Sequence, residues 1–256
     1  MKLIVLVLVV LGLYNQDSIA QVVQSKVFSY SKAKVKKTES GEKRELISGV
    51  TTHLKKFEIF TNTIQSGKAH QVNRIHADCE EFVFVKEGTL KINFHETSKT
   101  MGAGSVALMM PEDAYTLENT GKSDATYYVV SYQSIRPINL QRGINAGGSI
   151  LLDWDSIKFT PHDRGGVRKF FDRKSAMSER IEMHATTLNP AIKSHEPHTH
   201  LPDEIVIMME GTTEEEIGTG IFKGKPGDVY FMGSNIPHAI RNTGKKPCMY
   251  LAFQWE

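Results

Sequence analysis

Cysteine is scarce: the 256 residues hold two, Cys79 and Cys248. Two thiols do not make the cross-linked framework of a small disulfide domain. Nothing in the sequence brings them together, so two buried thiols are expected rather than a bridge. Charge of one sign is scarce as well. Lys plus Arg number 31 against 29 Asp plus Glu, a net charge of +2. Basic runs are no longer than "KAKVKK", and the aromatics are not interleaved with Lys or Arg as stacking platforms require. A nucleic-acid partner is therefore not expected. Long apolar runs are missing too. The one sustained stretch, "LIVLVLVVLGL" after Lys2, has eleven residues, short of the roughly twenty that span a bilayer. Polar residues and then "SIA" follow it, before Gln21. A positive start, an apolar middle and small residues at a cut site read as a secretory signal, removed after Ala20. No Cys stands there to carry a lipid anchor. The expectation is an exported protein, periplasmic or secreted, with no stable membrane insertion once residues 1–20 have left.

Helical periodicity is also sparse after that leader. What remains, at 40% hydrophobic and 23% charged, is ordinary globular usage, long enough for one large or two small domains. An internal repeat chooses two. "EEFVFVKEGTL…" from Glu80 lies over "DEIVIMMEGTT…" from Asp203 without a gap, at an offset of 123. Glu81 meets Glu204, Gly88 meets Gly211, Gly104 meets Gly227, and "ENTGK" meets "RNTGK". Each copy reads as short strands broken by Gly-containing turns. The fold class expected is all-β, with two tandem jelly-roll β-barrel modules. Residues 21–135 form the first module, 136–160 a Gly-containing connector, and 161–256 the second.

The chemistry concentrates in "SHEPHTHLPDEIVIMMEG", residues 194–211. Imidazoles and carboxylates stand there against a nearly unbroken apolar run, where they are costly to bury without partners. Read as strand, alternate residues share a face, so His198 and His200 point together and Glu204 joins them. "PGDVYFMGSNIPHAIRN" later supplies His238 at the start of another strand. Three imidazoles and a carboxylate make an N3O set that a divalent cation satisfies. His195 and Asp203 stand beside that set or on the surface.

These residues carry a resemblance. "HTHLPDE" is His-x-His-x3-Glu, with six residues between that Glu and Gly211, and "GDVYFMGSNIPHAIRN" is Gly-x10-His-x3-Asn. The pair resembles the two motifs of the cupin superfamily. The resemblance implies a small β-barrel and a metal held by His198, His200, Glu204 and His238. Gly233 and Asn235 stand where the family usually has Pro and Gly, a departure in the turn and not in the ligands. It also implies one divalent transition metal, Mn, Fe or Zn with Mn preferred, and a homodimer. A layout of two modules with one full site is similar to that of ureidoglycine aminohydrolases. Those enzymes order their ligands Glu-x-His-x3-His and use a Gln as the fourth, unlike this chain.

In the first module Glu81 keeps its place, but the other ligand positions hold Ile75, Ala77 and Tyr115. His76 falls one residue out of register. That module is expected to have lost its site and to serve packing, dimerisation or cover; a weak site from His76, Glu81 and Tyr115 is the alternative. Four protein ligands leave open positions on an octahedral ion, which favours catalysis on a small-molecule substrate over a closed structural site. Dioxygenation, isomerisation and hydrolysis all stay open, as does a non-catalytic, metal-anchored sugar- or small-molecule-binding module. In "SERIEMHATTLNP" one face carries Arg180, Glu182 and His184. Turned inward, Glu182 or His184 is a candidate acid or base and Arg180 an anion contact; turned outward, they form a solvated face. Gln254 is a third candidate for the pocket. Glu210, Glu214, Glu215 and Glu216 read as surface charge, "RGGVRKFFDRK" (164–174) as a basic exposed loop or edge, and Phe222, Tyr230, Phe231 and Trp255 as core.

Overall fold

The computed structural model describes residues 21–256; the leader expected at residues 1–20 lies outside the described residues. The repeat becomes two barrels of matching construction. Each is built on a seven-stranded antiparallel sheet with a smaller sheet over its far side. In the first module the central strands of the large sheet are Glu80–Glu87, Ala125–Ser134 and Leu54–Ile64. In the second they are Asp203–Glu210, Cys248–Trp255 and Ile181–Leu188. The near-continuous apolar runs seen in the sequence are these strands, because both of their faces are covered.

One face of each large sheet packs against the other module. Phe57, Phe82, Tyr128 and Tyr132 from the first meet Phe231, Phe253 and Trp255 from the second in a single buried cluster. The ring centroids of Phe57 and Trp255 are 5.1 Å apart, and those of Phe82 and Phe253 are 5.2 Å apart. Each fully buried aromatic there contributes about 1.5–3 kcal/mol through area removed from water. The opposite faces enclose the two barrel interiors. In the first module that interior is filled by Phe60, Ile92, Tyr115 and Tyr127 among others.

The repeat reaches further than the gapless block. The strand Lys26–Phe28 pairs with Val229–Met232 of the second module, and Ile150–Leu152 in the connector pairs with Val106–Met109 of the first. The leading strand of each module is thus donated to the other's sheet. Bulges recur at matching places, between Glu45 and Ile47 and between Lys169 and Phe171, now at an offset of 124. One residue of slippage between the front and back halves hides this part of the repeat from a single-offset comparison. The segment 164–174 is not a loop: Gly165–Arg173 is a strand inside the large sheet, between Phe159–His162 and Ile181–Leu188. Its bulge lets a charge-rich run pair while Phe170 turns into the core. The two cysteines are buried and free. Phe231, Tyr230 and Trp255 are buried, and Phe222 packs against the interior of the second barrel.

Candidate metal centre

Glu204 is the second residue of the strand Asp203–Glu210 and lies between Gln254 and Met232 on the neighbouring strands. His238 opens the strand His238–Asn242 of the small sheet across the barrel. His198 and His200 are not in a strand, contrary to the sequence reading. They lie on an extended segment between Pro197 and Pro202, which lack the N–H a sheet ladder needs. The segment is pinned all the same. His198 N–H donates to the His238 carbonyl at 3.3 Å, and His238 N–H donates back to His198 at 3.1 Å. Asn235 N–H donates to the His200 carbonyl at 2.8 Å. Asn235 takes a left-handed conformation, φ 59°, which Asn tolerates better than most residues. The turn that usually carries glycine is thus preserved.

Three imidazoles, at 198, 200 and 238, present ring nitrogens within 4.8 Å of one another. Their protons can be placed by the company they keep. His200 Nδ1 is 2.9 Å from the Pro202 carbonyl, and His238 Nδ1 is 2.8 Å from the Ile236 carbonyl. A carbonyl only accepts, so each Nδ1 carries a hydrogen, and in the neutral ring each Nε2 is a bare lone pair. Both lone pairs face one carboxylate oxygen, Glu204 Oε2, at 3.0 and 3.2 Å. His238 Nε2 is buried and has no hydrogen-bond partner among the described residues. Acceptors aimed at acceptors repel unless a cation lies among them. A divalent metal fits this donor set, with imidazole nitrogens and one hard oxygen converging from two elements.

Without an ion, protons on the rings take the cation's place: burial pushes the Glu204 carboxyl up, but hydrogen bonds and charge from His200 and His238 outweigh it and hold the group at about 2, so the carboxylate is ionised with or without a metal. Gln254 Nε2 donates to the same Oε2 at 3.1 Å, fixing the carboxylate's orientation. His198 is lowered by burial and by the other imidazoles beside it. His195 Nδ1 is 3.1 Å from His198 Nδ1, at the exposed rim. Asp203 is buried on the reverse side. Its carboxylate accepts from Ser234 N–H at 2.7 Å and Thr51 Oγ1 at 2.6 Å, with His53 Nδ1 at 3.2 Å.

A cavity of about 320 Å³ opens over the cluster. His184, Thr186, Glu215, Tyr250 and Gln254 line it with the ligand candidates, and His162, Arg164 and His195 lie at its edge. The strand Ile181–Leu188 therefore turns His184 inward. Glu182 stands behind it, its Oε1 2.8 Å from His184 Nδ1. Burial alone would lower His184, but the hydrogen bond and charge of Glu182 raise it above the ordinary histidine value. Arg180 is elsewhere, engaged by both oxygens of Asp172 at 2.9 Å on the surface. Arg164 donates to the Ser194 carbonyl and braces the segment leading to His198.

One expectation fails here. Glu215 is not surface charge: it is 1% exposed and faces the cavity. Glu210 is exposed, while Glu214 and Glu216 are part-exposed, with Lys223 and Lys193 beside them. Strand parity explains the difference, since Thr213, Glu215 and Ile217 point inward and the residues between them outward.

The first module presents a different arrangement at the equivalent place. Arg74 grips Glu81 with two nitrogens, Nη2 to Oε1 at 2.6 Å and Nε to Oε2 at 3.0 Å. Tyr115 Oη donates to Glu81 as well, and His76 Nε2 is 3.3 Å away. Burial would raise Glu81, yet His76 and Arg74 bring it down to about 2. A guanidinium stands where a metal would have to bind, so His76, Glu81 and Tyr115 do not form an open site.

Comparison with known proteins places these features. The cupin domain family matches residues 60–131 and again residues 185–253. A search of curated proteins by sequence returned no match. Solved structures match over nearly the whole chain. The Ylba protein of E. coli is 14% identical with a TM-score of 0.73, covering 95% of this chain and 97% of that one. Oxalate decarboxylase of Lactobacillus farciminis is 15% identical with a TM-score of 0.70, covering 91% and 87%. A glyoxylate-induced protein of Pseudomonas aeruginosa is 13% identical with a TM-score of 0.74, covering 93% and 90%. At such identities the likeness is one of fold. With two copies of the domain matched across more than half its length, the chain belongs to the cupin family, as a bicupin.

Proposed function

We propose that this chain is an exported metalloenzyme that transforms a small polar molecule in the second barrel, with one divalent transition metal on His198, His200, Glu204 and His238. The observation that carries the reading is the pair of Nε2 lone pairs of His200 and His238 converging on the Glu204 carboxylate, one of them buried and unpartnered. Imidazole and carboxylate together suit Mn, Fe or Zn; Mn is the first choice. Bound there, the ion supplies a Lewis-acid centre that polarises an oxygen of the substrate.

The chain's own residues supply the rest. Gln254 holds Glu204 in place, and Arg164 steadies the segment that carries His198. Glu182 fixes the His184 ring through Nδ1, leaving Nε2 to face the cavity contents. The hydrogen bond and charge of Glu182 raise the ring's affinity for protons, which suits His184 to give or take a proton as a general acid or base. The cavity, about 320 Å³, admits a small molecule and excludes polymers.

The test is metal analysis of the purified protein beside His198→Ala and His238→Ala, followed by a screen of small polar substrates. One metal per chain in the wild type, lost in both variants, supports the reading. Metal retained in both variants overturns the site. Metal lost as expected, with no turnover on any substrate class, overturns the enzyme and leaves a metal-anchored binding protein.

A further inference from the structure

Resting on that reading, we infer that Glu215 is a second anchoring point of the cavity: its carboxyl group hydrogen-bonds a small carboxylate ligand. The starting observation is an imbalance. Glu215 is 1% exposed, and its Oε2 is buried with no hydrogen-bond partner among the described residues. Its neighbours in register are hydrocarbon, Phe222 on one side and Ile240 on the other. Folded proteins rarely leave a buried carboxyl in this state, because its lost hydration is not replaced. Where such a group persists, facing a cavity, a ligand is the partner that remains.

The repeat within the chain shows that the fold itself does not need a carboxyl here. Strand pairing sets Glu215 beside Ile240 as it sets Ile92 beside Leu117. Ile92 is fully buried in the filled interior of the first barrel. The same comparison pairs His238 with Tyr115, and His184 with Phe60. Three bulky side chains that fill one barrel are thus replaced, in the other, by three groups that donate or accept protons. Glu215 belongs to the set that opens the cavity.

The charge of the cavity indicates the ligand class. Three neutral imidazoles and one carboxylate around a divalent ion leave one positive charge, which a monoanion balances. Among the described residues no cation pairs with Glu215; its outward neighbours Glu214 and Glu216 take the nearby lysines. With hydrocarbon on both sides in register, a buried carboxyl is favoured in its neutral form; burial, with Glu204 and Glu216 adding repulsion, pushes Glu215 the same way. A protonated carboxyl donates one hydrogen bond, and a carboxylate oxygen accepts it. A small carboxylate therefore suits both ends of the cavity, whereas an ammonium suits neither.

The experiment uses the metal-loaded mature chain and calorimetric titration with formate, glycolate and malonate, beside methylammonium as the cationic probe. Glu215→Ile restores the residue of the first barrel, and Glu215→Gln keeps a donor of the same shape. The expected result is one metal per chain in all three proteins, with the tightest carboxylate weakened about tenfold or more in Glu215→Ile and within about twofold of wild type in Glu215→Gln. Infrared difference spectra should show the protonated carboxyl stretch shifting on binding in the wild type and missing from Glu215→Gln. Unchanged carboxylate affinity in Glu215→Ile, with metal retained, overturns the inference alone. So does binding of methylammonium in preference to all three carboxylates. A wild type that takes up no metal overturns the proposed metal site and this inference with it.

Discussion

Removing Asp203 should cost stability and metal together, while removing its counterpart Glu80 should cost stability alone. The two acids occupy equivalent places, each just before the inward-facing Glu of its barrel, and each reaches across to the other module. Glu80 accepts from Ser175 Oγ and Tyr132 Oη at 2.7 Å and from Ala176 N–H at 2.7 Å. Asp203 accepts from Thr51 and from Ser234 N–H, with His53 beside it. Both are completely buried. Truncation to Ala strands buried donors at about 1–3 kcal/mol each, so either variant should lose about 3 kcal/mol. For a chain of this size that corresponds to roughly 6–12 °C in Tm. The difference lies in what each acid holds. Ser234 begins the turn that seats Asn235 under His200 and delivers His238, so loss of Asp203 loosens two ligands, whereas Glu80 touches none. Thermal unfolding and metal titration of Asp203→Ala and Glu80→Ala check this. Equal metal affinity in the two variants would refute the claim that Asp203 organises the site.

Further outcomes follow from other parts of the molecule. The His184 titration, followed by NMR, should have its midpoint above the ordinary value of about 6.5, and Glu182→Gln should bring it down, since the largest raising influence on the ring is then gone and burial remains. A raised histidine stabilises the folded chain below the unfolded-state pKa and loses that contribution as pH rises through the folded one, so the variant should flatten the stability curve on the alkaline side of neutrality. Burial raises Glu80, so its protonation favours folding; stability should decline from the carboxylate range upward, and Glu80→Gln should remove that slope. Arg74→Met leaves Glu81 buried without its cation and should cost about 3–5 kcal/mol by urea denaturation, with no change in metal content. Intact mass of the exported protein should place its first residue at Gln21; a chain still carrying Met1 would refute the leader.

The fold was legible because burial on both sheet faces writes long apolar runs into the sequence, and because two copies of the later strands keep one offset. The grouping of His198, His200 and His238 was legible for a related reason: few residue types offer metal-binding nitrogens, and the segment before one strand and the start of another bring them together. Glu215 was hidden because three consecutive glutamates look solvated, and only strand parity shows that the middle one points inward. The direction in which Glu182 and His184 face was equally hidden, since alternation groups residues without saying which group meets the cavity. The reach of Asp203 and Glu80 across modules could not be read either. It depends on how two sheets stack, and the partners Thr51 and Ser175 lie in the half of the repeat shifted by one residue.

The two barrels show what one architecture permits when its interior changes. In the first, Phe60, Ile92 and Tyr115 fill the space, and Arg74 neutralises the one acid that remains. Glu81 there has a cation covalently attached to the chain, so nothing has to be recruited from solution. In the second, the position held by Phe60 carries His184, and no guanidinium touches Glu204 among the described residues. The acid is then surrounded by imidazoles whose free lone pairs add to the need for positive charge rather than relieve it. Filling and neutralising stabilise the first barrel without any ligand. The second is left with a charge requirement and an empty volume in the same place, and a metal ion with a small bound molecule satisfies both.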